Sequence, residues 1–197
     1  MKKFNIEKNL IGYGFIIIFY VCVLLQAFFF SGMDISLEAE VIFPLLIMIL
    51  TGESVKIRSD VQYQFIRIYE NSFLAWIFRR YIYVFGVLAF SYLCFLFLRN
   101  VEFKIYSAFI INSVFFTSIV MLGGVYLKNT YTSIGIGSLI GITAILWKSL
   151  SEYKYSQYIY PFNLWANNNV AYGISKLNLL IVSLLIWMII SSGVVRQ

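Results

Sequence analysis

The sequence predicts an all-α membrane protein with six transmembrane helices. A cytoplasmic segment is expected between spans two and three, and an external re-entrant or interfacial segment before span six. Of the 197 residues, 61% are hydrophobic and only 12% are charged, whereas a soluble domain contains roughly 25% charged residues. Several apolar stretches reach the roughly 17–25 residues that a helix needs to cross the hydrocarbon core. We expect residues 1–197 to form a single polytopic transmembrane domain.

The first apolar stretch, Leu10–Phe30, is predicted to be an uncleaved span. It follows the basic start MKKFNIEKNL, as the apolar core of a signal peptide would. A cleavable core is shorter, about 7–15 residues, and ends at a small-residue site. Here the apolar stretch continues into SGMDISLE, which favours a membrane helix that stays in place.

Spans three to six follow from apolar length. Tyr81–Leu98, Ile105–Leu127 and Leu177–Val195 are long enough alone. Tyr131–Trp147 is shorter but contains no charged residue, and it is predicted to be span five. Its Gly137 and Gly141 form a small-xxx-small pattern, which lets another helix approach closely.

Span two, residues 39–55, has a short apolar core, and topology decides whether it crosses the membrane. Its apolar core is only Val41–Thr51, so it crosses if Glu40 lies at one interface and Glu53 at the other. With this crossing both termini are cytoplasmic, and ten of the fifteen basic residues lie inside. Without it the basic segment 52–81 would be external, against the positive-inside rule. We therefore expect six spans.

The cytoplasmic segment 52–81 is predicted to contain a short amphipathic helix. Ser59 or Asp60 can cap its start. Its apolar residues recur at helical spacing: Val61, Phe65, Ile68 and Tyr69. Its polar residues mix signs, with Arg67 and Glu70 both present. Such a helix can lie on the lipid surface, where a uniformly basic face is preferred, or it can dock on a cytoplasmic partner. The mixed charge weakly favours docking.

The external segment 148–176 is rich in aromatic and amide side chains. It contains five Tyr, one Trp and three consecutive Asn, and Pro161 interrupts it. Tyr and Trp at this density indicate a membrane interface. We expect one or two short helices at or in the outer leaflet, serving as a lid on the spans or as a ligand site.

Several kinds of chemistry are missing from the sequence. The chain has no His, and Cys22 and Cys94 both lie in apolar stretches. It has no phosphate-binding loop motif and no metal-spaced cluster. None of the long predicted spans contains an ionisable residue, which ion-coupled carriers normally have. We therefore expect no enzyme, no metal and no cofactor on this chain, with any energy supplied by another chain. The net charge of +6 is attributed to topology rather than to nucleic-acid binding.

Two stretches resemble a known family. GESVKIRSDVQYQFIRIYENSFLAWIFRRYIYVFGV and YPFNLWANNNVAYGISKLNLLIVSLLIWMIISSGVVR are similar to the span-two-to-three region and the closing region of ABC type-2 exporter permeases. The resemblance implies that the amphipathic helix is a coupling helix that contacts an ATPase subunit. The implied contact residues are Asp60, Val61, Gln64, Phe65, Arg67, Ile68 and Glu70. It also implies two permeases and two ATPases, with the path between the permeases lined by spans two and five.

The expected function is that of the permease subunit of an ATP-driven exporter in a bacterial plasma membrane. ATP and Mg would bind the partner ATPase, and a second permease copy, identical or closely related, would complete the path. An apolar, aromatic path suits an amphipathic or hydrophobic cargo such as a membrane-active peptide. The alternatives are a non-transport membrane protein that recruits a partner through residues 52–80, and a secondary carrier or channel.

Overall fold

The computed structural model describes residues 35–55, 73–126, 130–150 and 169–194, together with the single positions Gly14, Ile17, Tyr20 and Val21. Every described residue is helical except the connection 99–102, and none lies in a β-strand. The prediction of an all-helical chain is therefore confirmed for these residues. The predicted first span is described at the four single positions alone, and the predicted amphipathic helix lies outside the described residues.

The described helices alternate in direction through a bundle. They are α1 (Ile35–Leu37), α2 (Phe43–Val55), α3 (Phe73–Leu98), α4 (Phe103–Tyr126), α5 (Thr130–Leu150) and α6 (Asn169–Val194). A π-helical segment, Glu38–Ile42, joins α1 to α2, so residues 35–55 form one helical stretch that contains predicted span two.

Three described stretches are long and apolar enough to cross a membrane. They are Phe78–Leu98, Phe103–Tyr126 and Tyr172–Ser192, and α5 contributes the shorter apolar stretch Thr130–Leu146. The predicted spans three and five fall within α3 and α5, whereas spans four and six each end one residue beyond α4 and α6. These helices support a membrane protein.

Two predicted boundaries differ from the structure. The helix of span three begins at Phe73 rather than at the predicted Tyr81, so the last residues of segment 52–81 belong to the same helix. The helix of span six begins at Asn169, so the end of the predicted external segment is already in α6. Tyr172, Ser175 and Lys176 are buried in these first turns. Packing therefore stabilises helical turns that hydrophobicity alone does not predict.

Helix α4 lies at the centre of the described bundle, where it packs against α2, α5 and α6. Its buried residues surround the helix rather than forming one stripe, as expected of a core helix. On one side, Phe109 joins Ile47 of α2 and Leu88 of α3 in a buried cluster. On another, Phe116 joins Met48 and Leu179.

The bundle has two ends. The Glu40 end is the end at which α1, α4 and α6 begin and α3 finishes. At this end Asn100 forms the turn between α3 and α4 with a left-handed backbone, φ 49°, which asparagine tolerates better than most residues. At the opposite end, the hydroxyl of Tyr126 in α4 donates to the carbonyl of Ile189 in α6 at 2.7 Å, so these two helices are parallel.

Candidate functional site

Three charged side chains are buried among the described residues, and all three lie at the Glu40 end. Glu38, Glu40 and Lys176 are 1%, 5% and 4% exposed. Burying a charge away from water is costly unless the charge is paired and hydrogen-bonded. A buried ionisable residue within a membrane span is therefore a candidate functional residue.

Lys176 connects three helices through its ammonium group. Its Nζ lies 3.2 Å from Oε2 of Glu40 and donates to Oδ1 of Asn112 at 3.0 Å. The Nδ2 of Asn112 donates in turn to the backbone carbonyl of Glu40 at 2.7 Å. These contacts join the 35–55 stretch, α4 and α6. We refer to the three residues as the Glu40–Asn112–Lys176 network.

The network lies more than two helical turns from the first residue of α4 and about two from that of α6. Lys176 is about 10 Å along the axis of α6 from Asn169, and Asn112 is about 14 Å along α4 from Phe103, at 1.5 Å per residue. Lys176 belongs to the apolar stretch Tyr172–Ser192. The network is therefore within the apolar part of the bundle, not at a loop.

Tyr172 lies between two cations. Its ring centroid is 4.9 Å from Nζ of Lys176 and 4.2 Å from Nζ of Lys104. Its hydroxyl donates to the backbone carbonyl of Lys104 at 3.1 Å. An aromatic face attracts cations most strongly where water is excluded. Tyr172 thus adds a cation–π contact to Lys176 and ties α6 to the start of α4.

A second ion pair lies closer to the surface. Nη1 of Arg99 is 3.8 Å from Oε2 of Glu38, and the Arg99 side chain is 23% exposed. The guanidinium carbon also lies 5.2 Å from the centroid of the Phe95 ring. The pair is long and its arginine is partly hydrated, whereas the Glu38 carboxylate is buried. We interpret it as the outer edge of the charged region.

Both glutamates belong to the π-helical segment. The backbone N–H of Phe43 donates to the carbonyl of Glu38, which is the five-residue spacing of a π-helix. Such segments are rare, and many occur at functional sites. Here the segment directs Glu38 toward Arg99, just after α3, and Glu40 toward α4 and α6.

The sequence-predicted residues lie elsewhere. A Cβ on Gly137 would contact Met48, and one on Gly141 would lie 2.7 Å from Cδ1 of Leu45, so both glycines face α2 of the same chain. The predicted ATPase-contact residues, Asp60 to Glu70, lie outside the described residues.

Sequence reasoning missed the network because the boundary of span six was set at Leu177. That boundary placed Lys176 in a loop and left the spans without an ionisable residue, which the structure corrects: α6 includes Lys176. The available signal was Tyr172 and Lys176 four residues apart, the spacing at which helical side chains meet. Comparisons with protein-family models, curated proteins and solved structures give no match.

Proposed function

We propose that this chain is the transmembrane permease subunit of an ATP-driven ABC exporter. The observation that supports this most is the packing of α2 against α3, the helices that flank segment 56–72. Leu50 of α2 and Val84 of α3 belong to one buried cluster. A helix inserted between two helices that are packed together can transmit a push from a cytoplasmic ATPase, which a flexible loop cannot.

In this proposal the end opposite the Glu40 end is cytoplasmic. Helix α2 ends there and α3 begins there, with Arg79 and Arg80 in the first turns of α3. Both termini are then cytoplasmic in a bacterial plasma membrane, as the positive-inside rule favours. ATP and Mg would bind the partner ATPase, since the chain has no phosphate-binding loop motif.

A second permease copy would complete the transport path. Gly137 and Gly141 already face α2, so the second copy would meet another face of α5. That face is apolar and exposed at Leu139, Ile142 and Leu146. An apolar lining of this kind suits an amphipathic or hydrophobic cargo, for which a membrane-active peptide is our specific proposal.

A secondary carrier driven by an ion gradient is the second candidate. The Glu40–Asn112–Lys176 network favours it, because carriers of this class use ionisable residues inside their spans. The two candidates differ in their energy source. Reconstituted exporter requires the ATPase and ATP, whereas a carrier requires only a proton or sodium gradient across the vesicle membrane.

The decisive experiment is Phe65→Ala. We expect about a tenfold loss of the neighbouring P-loop ATPase on co-purification with the tagged chain, as for an apolar residue at an interface centre, and a parallel loss of ATP turnover. Phe97→Ala is the matched control, because Phe97 is 71% exposed at the other end of α3. Arg67→Ala should have a smaller effect, since rim charges contribute little.

The opposite result has a clear meaning. If Phe65→Ala leaves ATPase binding and turnover unchanged, while replacing Arg67, Arg79 and Arg80 only loosens lipid attachment, segment 56–72 lies on the lipid surface. The exporter proposal then loses its main support.

A further inference from the structure

The 35–55 stretch joins two features at its opposite ends. At one end it leads into segment 56–72, and at the other it holds Glu40 against Lys176 and Asn112. Glu40 itself belongs to the π-helical segment Glu38–Ile42. Helix α2, by contrast, is fixed in the core, where Ile47 and Met48 are fully buried.

A π-helical segment has a specific alternative state. Its conversion to an α-helix removes the extra residue per turn, so the residues before the segment turn by about 100° and shift by about 1.5 Å relative to those after it. Because α2 is held by the core, α1 would make the whole movement, and Glu40, which lies within the segment, would make about half of it. A turn of about 50° would still move the Glu40 carboxylate away from Lys176.

We propose that the Glu40–Asn112–Lys176 network is a gate that closes the Glu40 end of the bundle. The gate opens when Glu38–Ile42 converts from π-helical to α-helical hydrogen bonding. This inference rests on the proposed exporter function only for the source of the movement, which would be a push from the ATPase on segment 56–72. The gate itself is argued from the contacts at the Glu40 end.

An ion pair suits a gate better than an apolar contact does. Buried, its attraction is largely offset by the cost of removing both charges from water. Opened, the two charges recover their hydration, so the open state is accessible. An apolar pair at the same position would be stable when closed, but its opening would not be offset by any gain in hydration. The chemistry of the network therefore permits both states.

The test measures opening directly with a single cysteine. Ala108→Cys, in a chain with Cys22 and Cys94 replaced, places the thiol on α4 beside Tyr172, at a position that is 0% exposed in the closed structure. Purified chain in nanodiscs is treated with a membrane-impermeant maleimide, which reaches both faces. The rate of labelling then reports how often the Glu40 end opens, without any ATPase.

Three variants distinguish a gate from a fixed contact. Deleting Ala39 removes one residue of the π-helical segment, and we expect labelling at least tenfold faster than in the parent. Glu40→Met combined with Lys176→Met should keep the thermal stability of the parent but label at least tenfold more slowly. The charge exchange, Glu40→Lys with Lys176→Glu, restores the pair and should label within about threefold of the parent.

If the methionine pair and the Ala39 deletion both label at the parental rate, the network is a fixed contact and the gate proposal fails. Failure of the exporter proposal would give a different result. No ATPase would co-purify with the chain, but the labelling differences among the three variants would remain. With the ATPase bound, trapping with ADP and vanadate should change the Ala108→Cys rate in the parent and not in the methionine pair. Equal rates in the nucleotide-free and trapped parent would overturn gating during turnover.

Discussion

Lys176 and Lys104 contact the same tyrosine but differ in what each contributes. Lys176 is 4% exposed and donates to both Glu40 and Asn112. The Nζ of Lys104 lies 4.2 Å from the centroid of the same Tyr172 ring, but Lys104 is only partly buried. Removing one partner of a buried ion pair leaves the other charge uncompensated, whereas a partly hydrated cation can be removed with little effect.

We therefore expect Lys176→Met to lower the free energy of unfolding by about 3–5 kcal/mol. Lys104→Met, the same substitution on the neighbouring lysine, should lower it by about 1 kcal/mol or less. Thermal or denaturant unfolding in detergent micelles measures both. Equal losses in the two variants would show that the Glu40–Lys176 contact does not carry a buried charge.

At the scale of elements, the contact between α2 and α5 depends on small residues. Gly137 and Gly141 lie one turn apart on α5 and face Met48 and Leu45. Close approach of this kind increases dispersion contacts between helices, which matter in lipid because apolar burial there gives no gain. Gly135, on the same helix, faces open space and provides a comparison.

Gly141→Leu should destabilise the bundle by about 1–3 kcal/mol, because the added side chain overlaps Leu45 and forces the helices apart. Gly135→Leu should be neutral or stabilise by up to about 1 kcal/mol, since it replaces glycine in a helix without meeting any neighbour. Unfolding in detergent micelles is again the measurement. Normal stability of Gly141→Leu would contradict the close-packing interpretation.

At the scale of the whole molecule, charge is distributed unevenly between the two ends. The Glu40 end contains the buried network and the Glu38–Arg99 pair, in which acids balance bases. The opposite end carries Arg79 and Arg80 at the start of α3. With six spans, ten of the fifteen basic residues of the sequence fall on the side of Arg79 and Arg80. The positive-inside rule favours that side as cytoplasmic, so the Glu40 end is expected to be external.

Cysteine accessibility tests this orientation after Cys22 and Cys94 are replaced. Asn100→Cys, at the exposed turn between α3 and α4, should react with an impermeant maleimide in intact cells, as should a cysteine at position 165. Cysteines at position 65 and at both termini should react only after permeabilisation. External labelling at position 65 would overturn the six-span topology.

Much of the architecture was determined by the sequence itself. Long uncharged apolar stretches can satisfy their backbone in lipid only as helices, so α3, α4 and α5 were predictable from Tyr81–Leu98, Ile105–Leu127 and Tyr131–Trp147. The spacing of Gly137 and Gly141 likewise marked one face of α5, without indicating which helix lies against it. These features are local, and each can be read from one segment.

Only the tertiary structure decided where Glu40 and Lys176 lie and which partners they have. Glu40 and Lys176 are far apart in the chain, and each looked like the polar edge of a span. Hydropathy assigns a lysine to water because it counts the cost of burial and not the partners that offset it. Asn112 and Glu40, brought to Lys176 by the packing of three helices, supply those partners. The same packing extends α6 through Tyr172 to Asn169 and places an ion pair inside the membrane-spanning bundle.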